Sequence, residues 1–339
     1  MHNNTFFSII VPCFNGGEFL DECLQSIMNQ SFQNFELIII NDGSTDNSLS
    51  IALKYKNNYP EKINLINQKN KGEIRSRLKG MNVATSDYIF YVDADDVLSI
   101  DALELVNNAI TTTKSDLLIF DLSTTADFKT KLFNYSIYHL ATFEHESKNK
   151  IYEYVANYTM NSIVAKVFKK ELFKPDFPME DYSDVIVGID LIHSLPIVNH
   201  AKKIVYIQDD IYFYRQHKSN ITNRFNHRYL SSEKKAVLLL KDYLKNWNIS
   251  DYEQKIYGLY LKIIYRTFKL FTGQTRQNEV DQLIDFLRVD PLFLESLDNI
   301  EKHNVRKKIY YFNQLVKYNQ KIGVNLYLSS FGRLEKEDL

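Results

Sequence analysis

The sequence predicts an α/β protein, a doubly wound and mainly parallel sheet followed by a helical C-terminal region. Three observations predict it. Short apolar runs alternate with amphipathic stretches through residues 1–121. Turn-forming and acidic residues collect where those runs end. After Arg228 the apolar residues recur at helical spacing only. Repeated strand–helix units of this length build a parallel sheet with helices on both faces.

Each element follows from its own pattern. Phe7-Ser8-Ile9-Ile10-Val11 ends at Pro12 and reads as a buried strand, since a strand covered on both faces shows no polar alternation. Phe19, Leu20, Cys23, Leu24, Ile27 and Met28 then fall on one helical face. Phe35 to Ile40 is the second strand and Asn41-Asp42-Gly43-Ser44 its turn, with Ser44 or Thr45 expected to cap the next helix. Ile63 to Ile66 is the third strand, and Gly72 opens a helix carrying Ile74, Leu78 and Met81. Tyr88 to Val92 is the fourth strand and runs straight into Asp93-Ala94-Asp95-Asp96. A helix over Asp101–Ile110 and a strand over Leu117–Asp121 follow.

Between Thr124 and Lys150 the composition turns polar and the periodicity fades. Strands return at Lys203–Ile207 and Ile211–Tyr214. The tail predicts helices at Ser232–Trp247, Asp251–Phe271, Glu279–Leu287 and Glu301–Tyr318. The expected organisation is one domain over 1–227, with halves 1–121 and 122–227, and a helical region over 228–339.

Composition narrows the function classes. A formal net charge of −1 gives no global field for nucleic acid, so none is expected as a partner. Cys13 and Cys23, the only two cysteines, do not make a disulfide framework and read as reduced packing residues. Met1 to Thr5 is polar and a strand follows at once, so no secretory leader is expected. The longest apolar runs are too short to span a bilayer. A cytoplasmic protein is the expectation, at or near the inner face of a membrane. The missing G-x-G-x-x-G and G-x-x-x-x-G-K-[ST] patterns exclude dinucleotide-dependent dehydrogenases and P-loop kinases. Asn15-Gly16-Gly17-Glu18 lacks the arginine of a nucleotidyltransferase loop.

Ligands on such sheets bind at the carboxyl ends of the strands. Asp42 and Asp93-Ala94-Asp95-Asp96 stand at two such ends. Three carboxylates within four residues repel one another, and a divalent cation with a preference for hard oxygen donors relieves that repulsion. A solvated acidic turn explains the same residues. Asp42 suits a base N–H or ribose hydroxyls, and equally an ordinary Asx turn.

Five motifs in order tie these positions together. They are Ser8-Ile9-Ile10-Val11-Pro12-Cys13-Phe14-Asn15, Leu24 to Ser31, Phe35 to Asp46 with its Asn41-Asp42-Gly43-Ser44, Asn70-Lys71-Gly72 with Arg77, and Asp87 to Asp96. Together they resemble the opening of the family 2 glycosyltransferases. The resemblance implies a GT-A fold, a nucleotide-sugar donor and inversion at the anomeric carbon. By the family pattern Pro12, Phe14, Asn15, Asp42, Arg77, Asp93, Ala94 and Arg215 lie around the nucleotide sugar. Asp95, with Asp93 in support, is implied as ligand to Mn²⁺ or Mg²⁺, and His217 as a further candidate. Phe14 and Leu78 depart from the family, which usually has Tyr and Asn there.

The second half resembles the polysaccharide-building members at Asn161 to Phe173 and at Leu195 to Ser219. These relatives carry a Glu-Asp pair whose Asp is the catalytic base. Asp190 stands at the expected spacing before Arg215, although Ile189 replaces the Glu. Asp181 follows Glu180 and is the runner-up, and Asp184 stands third. Lys166 reads as a surface or capping lysine. The tail's Tyr257 to Arg266, with interleaved aromatic and basic residues, reads first as packing against the catalytic domain. A membrane interface and a homo-oligomer contact remain open for it. The implied enzyme moves a hexosyl or N-acetylhexosaminyl group from a UDP-sugar to a glycan, lipid-linked or glycoprotein acceptor. The alternative is a catalytically silent relative that binds nucleotide or a partner enzyme.

Overall fold

The computed structural model describes residues 7–133, 135–217, 228–271, 277–320 and 323–324. These fall into two compact units. The first spans 1–151, 160–184 and 189–217, and the second 152–159, 185–188 and 218–339. Two short segments from within 1–227 therefore cluster with the helical tail.

The first unit is built on β1 (Phe7–Cys13), β2 (Phe35–Asp42), β3 (Ile63–Gln68), β4 (Tyr88–Tyr91), β5 (Val97–Leu98), β6 (Leu117–Ser123), β7 (Ala141–Glu144), β8 (Lys166–Lys169) and β9 (Lys203–Phe213). They form one sheet in the order β3-β2-β1-β4-β8-β6-β9-β5, with β7 also on β9. β1, β2, β3 and β4 run parallel, β8 runs against β4 and β6, and β6 and β9 are parallel. β1 and β2 are apolar because both faces are covered: Ile9, Ile10, Leu37 and Ile39 are wholly buried. The helices of this half are α1 (Leu20–Met28), α2 (Ser48–Asn58), α3 (Glu73–Val83) and α4 (Ala102–Thr113). α1 buries Leu20, Cys23, Leu24 and Ile27, the face its spacing predicts.

The two strands expected at 203–207 and 211–214 are one. Gln208-Asp209-Asp210 interrupts the apolar pattern but not the backbone, which stays extended and takes up the extra residues as register shifts against β6. The polar stretch 124–150 yields β7 and the start of α5 (Asn149–Ala156). α6 (Ile189–His200) follows the loop bearing Asp181 and Asp184.

The second unit holds α7 (Tyr229–Asn246), α8 (Tyr252–Phe271), α9 (Gln277–Arg288), α10 (Pro291–Asn299) and α11 (Lys307–Lys317). α8 packs against α7, α10 and α11. Ile256, Tyr257, Tyr260, Leu261 and Ile264 are buried in that core, so the aromatic stretch of the tail is interior packing of the helical unit. α10 was not expected. Its start carries an Asp290-Pro291 signature, with the Asp290 carboxylate accepting from the Phe293 N–H at 2.8 Å. Among the described residues no helix is long and apolar enough to cross a membrane.

Candidate active site

The carboxyl ends of β1, β2 and β4 carry the predicted nucleotide residues. Past β1 the chain turns at Asn15 in the left-handed region, φ 54°, leaving Phe14 exposed and Pro12 half-buried. Side chains stitch this loop to the one after β2. The Asn15 N–H donates to Ser44 Oγ at 3.0 Å and Asn15 Oδ1 accepts from the Thr45 N–H at 2.8 Å. The Gly16 and Gly17 N–H groups donate to Ser48 Oγ and Asp46 Oδ2. Ser44 and Thr45 are therefore engaged across the loops and do not cap α2, where Asp46 Oδ1 accepts from the Ser48 N–H instead. At Gly16 a Cβ would stand 3.3 Å from the Ala94 Cβ, so the loop lies directly beside Ala94.

Asp42 is buried, and its carboxylate holds the 68–72 loop. Oδ1 accepts from Gln68 Nε2 and the Lys71 N–H, and Oδ2 from the Gly72 N–H at 2.9 Å. This is no Asx turn, since its partners lie 26 to 30 positions on; it fixes the start of α3, where Gly72 has φ 88°.

α3 delivers Arg77, and here the structure departs from the expected nucleotide contact. The Arg77 side chain is 1% exposed. Its Nε and Nη2 donate to Glu73 Oε1 at 2.9 and 2.7 Å, Nη2 donates to Asp93 Oδ1 at 2.8 Å, and Asp190 Oδ1 stands 3.9 Å from Nη2. A buried guanidinium thus draws three carboxylates together, and Nη1 is left without a hydrogen-bond partner. Burial alone lowers the Arg77 pKa, and Asp93, Glu73 and Asp190 more than reverse this, so it stays cationic.

The Asp93–Asp96 turn is held from the far strand. Tyr212 OH on β9 accepts the Asp93 N–H at 3.0 Å and donates to Asp96 Oδ2 at 2.7 Å. The Arg215 N–H donates to Asp96 Oδ1, its Nε to the Asp95 carbonyl at 2.7 Å, and its Nη2 to Glu22. The guanidinium also lies over the rings of Phe19 and Phe213. His217 Nε2 is 2.7 Å from Asp95 Oδ2, and its ring packs on Phe19. Lys218 lies outside the described residues.

Each acid of the cluster therefore has its own partner: Arg77 for Asp93, His217 for Asp95, Tyr212 for Asp96. Their mutual repulsion is met in part by the protein. Asp96 is interior and cannot reach a substrate. Burial, then the neighbouring Asp93 and Asp95, push its carboxyl well above the usual range. Burial likewise pushes Asp93 up to about 7 against the pull of Arg77, with Glu73 adding to the rise. Asp190 is raised by burial and held back first by Arg77. Yet the side chains of Asp93 and Asp190 are 32% and 41% exposed. Both carboxylates thus meet solvent while protein groups crowd them.

Asp190 lies in the first turn of α6, on the same guanidinium as Asp93. Asp181 lies on an exposed 3-10 turn, Met179–Tyr182, whose Glu180 accepts from Arg75 Nε at 2.9 Å. Asp184 is exposed in the loop that follows. Of the three base candidates, the structure brings Asp190 to the Asp93 cluster.

A metal is tested by the donors present. Asp95 Oδ2 and His217 Nε2 converge at one point, a carboxylate beside an imidazole. Among the described residues no set of three His, Cys, Asp or Glu side chains is placed to hold an ion. The two are hydrogen-bonded to each other, and as residue types a carboxylate and an imidazole suit Mn²⁺.

Two residues were missed. Glu73 was legible as an i, i+4 partner of Arg77. Lys166 reads from sequence as a surface or capping lysine; it is fully buried, and it caps the carbonyls of Met160 and Ser162.

A mixed, mostly parallel sheet with loops stitched at its strand ends is the fold of a GT-A glycosyltransferase. Residues 8–173 match the family model described as glycosyl transferase family 2. That segment belongs to the family. It is 28% identical over 304 residues to the cholesterol galactosyltransferase of Borreliella burgdorferi, covering 77% of this chain and 80% of that one. It is 40% identical over 105 residues to the minor teichoic acid biosynthesis protein GgaA of Bacillus subtilis, covering 30% of this chain and 24% of that one. The crystal structure of S. aureus TarS 1-349 in complex with UDP-GlcNAc superposes with a TM-score of 0.66 at 18% identity, covering 97% of this chain and 92% of that one.

Proposed function

We propose that this enzyme is an inverting transferase of a hexosyl or N-acetylhexosaminyl group from a UDP-sugar to an acceptor hydroxyl in surface-glycan assembly. One observation carries the reading: Arg77 gathers Asp93 of the Asp-x-Asp turn and Asp190 of α6 at a single point. A displacement needs a base close to the leaving-group site, and one guanidinium holds these two carboxylates near each other. Asp190 takes the proton of the attacking hydroxyl. Its raised pKa strengthens it as a base near neutral pH. The loops at Pro12, Phe14, Asn15 and Asp42 hold the nucleoside, Ala94 lines their floor, and Arg215 braces the turn against α1. Arg77 acts from below, orienting carboxylates and not touching the nucleotide.

Asp95 and His217 would hold Mn²⁺ or Mg²⁺, with Asp93 in support through the turn. When bound, the ion offsets charge on the departing diphosphate. The acceptor is a glycan, a lipid-linked oligosaccharide or a glycoprotein chain, in keeping with the teichoic acid and cholesterol chemistry in its relatives' names. Two buried free thiols accord with a cytoplasmic setting at the inner membrane face. We assign catalysis to 1–227, its first half 1–121 to the nucleotide and 122–227 to the acceptor, and reserve 228–339 for membrane contact or self-association.

The test is UDP release from UDP-glucose, UDP-galactose, UDP-GlcNAc and UDP-GalNAc with Mn²⁺, for wild type, Asp95→Asn, Asp190→Asn and Asp181→Asn. We expect one donor to turn over, at least about 100-fold slower in the first two variants and unchanged in Asp181→Asn. Loss in Asp181→Asn alone would move the base to Asp181. No release from any donor with any acceptor would favour a silent, nucleotide-binding relative, the reading Ile189 in place of Glu supports.

A further inference from the structure

Lys166, the first residue of β8, has no exposed surface. Burying an ammonium is costly, and a methionine would fill the same volume without that cost. Burial drags its pKa down to about 7, and Asp190 is the charge that opposes the fall. Its Nζ donates to the carbonyls of Met160 and Ser162, at 2.8 and 2.5 Å. Those bonds curl the 160–163 turn around the ammonium. The same turn grips α6, where the Asn161 carbonyl accepts from Ser194 Oγ at 2.7 Å, one helical turn on from Asp190.

We propose that Lys166 is a positioning residue for Asp190, its buried ammonium shaping the 160–163 turn that holds α6 at Ser194, one helical turn on from the carboxylate. The proposal rests on the reading of Asp190 as the base. The groups facing Asp190 are Arg77 and Glu73 from α3, Asp93 from the turn after β4, Tyr214 from the end of β9, and Lys166 with the Ile163 N–H from beneath. Arg77 is shared with Glu73 and Asp93, which lie closer to it, so among the described residues Lys166 is the cation near Asp190 that has no carboxylate within ion-pair distance.

The sign follows from charge. Removing the ammonium disfavours the carboxylate, so the Asp190 pKa rises further and the acid limb of turnover moves to higher pH. The experiment follows the Asp190 carboxyl by ¹³C titration, assigned with Asp190→Asn, in wild type, Lys166→Met and Lys166→Gln, beside the pH profile of UDP release from the most active UDP-sugar. We expect both Lys166 variants to raise the Asp190 pKa by about one unit and to move the acid limb equally. We expect kcat to fall about tenfold at pH 6.5 with KM for the UDP-sugar within about twofold. Glutamine can still donate to the two carbonyls, so Lys166→Gln alone carries the test if Lys166→Met does not fold. An unchanged Asp190 titration in a folded variant overturns the proposal. A shifted titration with full turnover in Asp190→Asn overturns instead the assignment of Asp190 as base.

Discussion

Arg77 concentrates the site's electrostatics in one side chain. Without it, Glu73 and Asp93 would face each other and Asp190 across a crowded wall with no cation between them. Removing one partner from a buried ion cluster costs about 3–5 kcal/mol, because the remaining charges stay desolvated. Arg77→Met should therefore lower the urea midpoint of unfolding and, in whatever folds, cut UDP release at least about 100-fold. Arg77→Lys should rescue little, since an ammonium cannot bond Glu73 and Asp93 in the forked geometry of the guanidinium. Equal turnover in Arg77→Lys and wild type would show that charge alone is needed. At this scale an ordered motif marks Asp93 and Asp95 in the sequence, and spacing before Arg215 marks Asp190. Burial was not legible. Nothing in Lys166 or Arg77 as residue types tells an interior cation from a surface one: Glu73 aside, the carboxylates that compensate Arg77 lie 16 and over 100 positions away, and the carbonyls that hold Lys166 lie on a turn with no pattern.

The elements that were read correctly are those whose signal is local. β1, β2, β4 and β6 are continuous apolar runs, and α1 shows its buried face in its spacing. β5, β7 and β8 have two to four residues each, and exist because a neighbour offers an edge, which no local pattern records. α3 shows how an element's placement depends on one residue. A Cβ at Gly80 would meet Ile10 Cγ2 of β1 at 2.4 Å, so glycine is what lets the helix lie that close to the sheet. On an exposed helix Gly→Ala gains about 1 kcal/mol, whereas overpacking a core costs about 1–3 kcal/mol. The second effect is larger here, and Gly80→Ala should destabilise. Because α3 also carries Arg77 and Glu73, turnover should fall with it. Ile10→Ala removes the clashing methyl, so the double variant should be less destabilised than the sum of the singles. Additive values from urea unfolding would refute the close-packing account.

Across the whole molecule the fold hides charge of both signs, and the two act oppositely on stability. Asp93, pushed up to about 7, and Asp96, Asp190 and Glu233, also raised by burial, bind protons more tightly folded than unfolded. Their contribution falls as pH rises from about 4 toward neutral. His193 works the other way. It is fully buried on α6, Nε2 has no partner, and it lies between the Phe173 and Tyr91 rings. Burial, then Arg77, lowers its pKa to about 3 from 6.5. Between those values the unfolded chain binds the proton and the folded chain does not, so its contribution is lost as pH falls from about 6.5 toward 3. His193→Phe keeps the aromatic packing and removes the titration. Its stability relative to wild type should improve as the medium is acidified from pH 6.5 to 4.5, by up to about 1.4 kcal/mol per pH unit. Urea midpoints at pH 4.5, 5.5 and 6.5 without divalent cation would read this directly. Parallel curves for the two proteins would mean that His193 charges in place, and that the interior around Arg77 admits water.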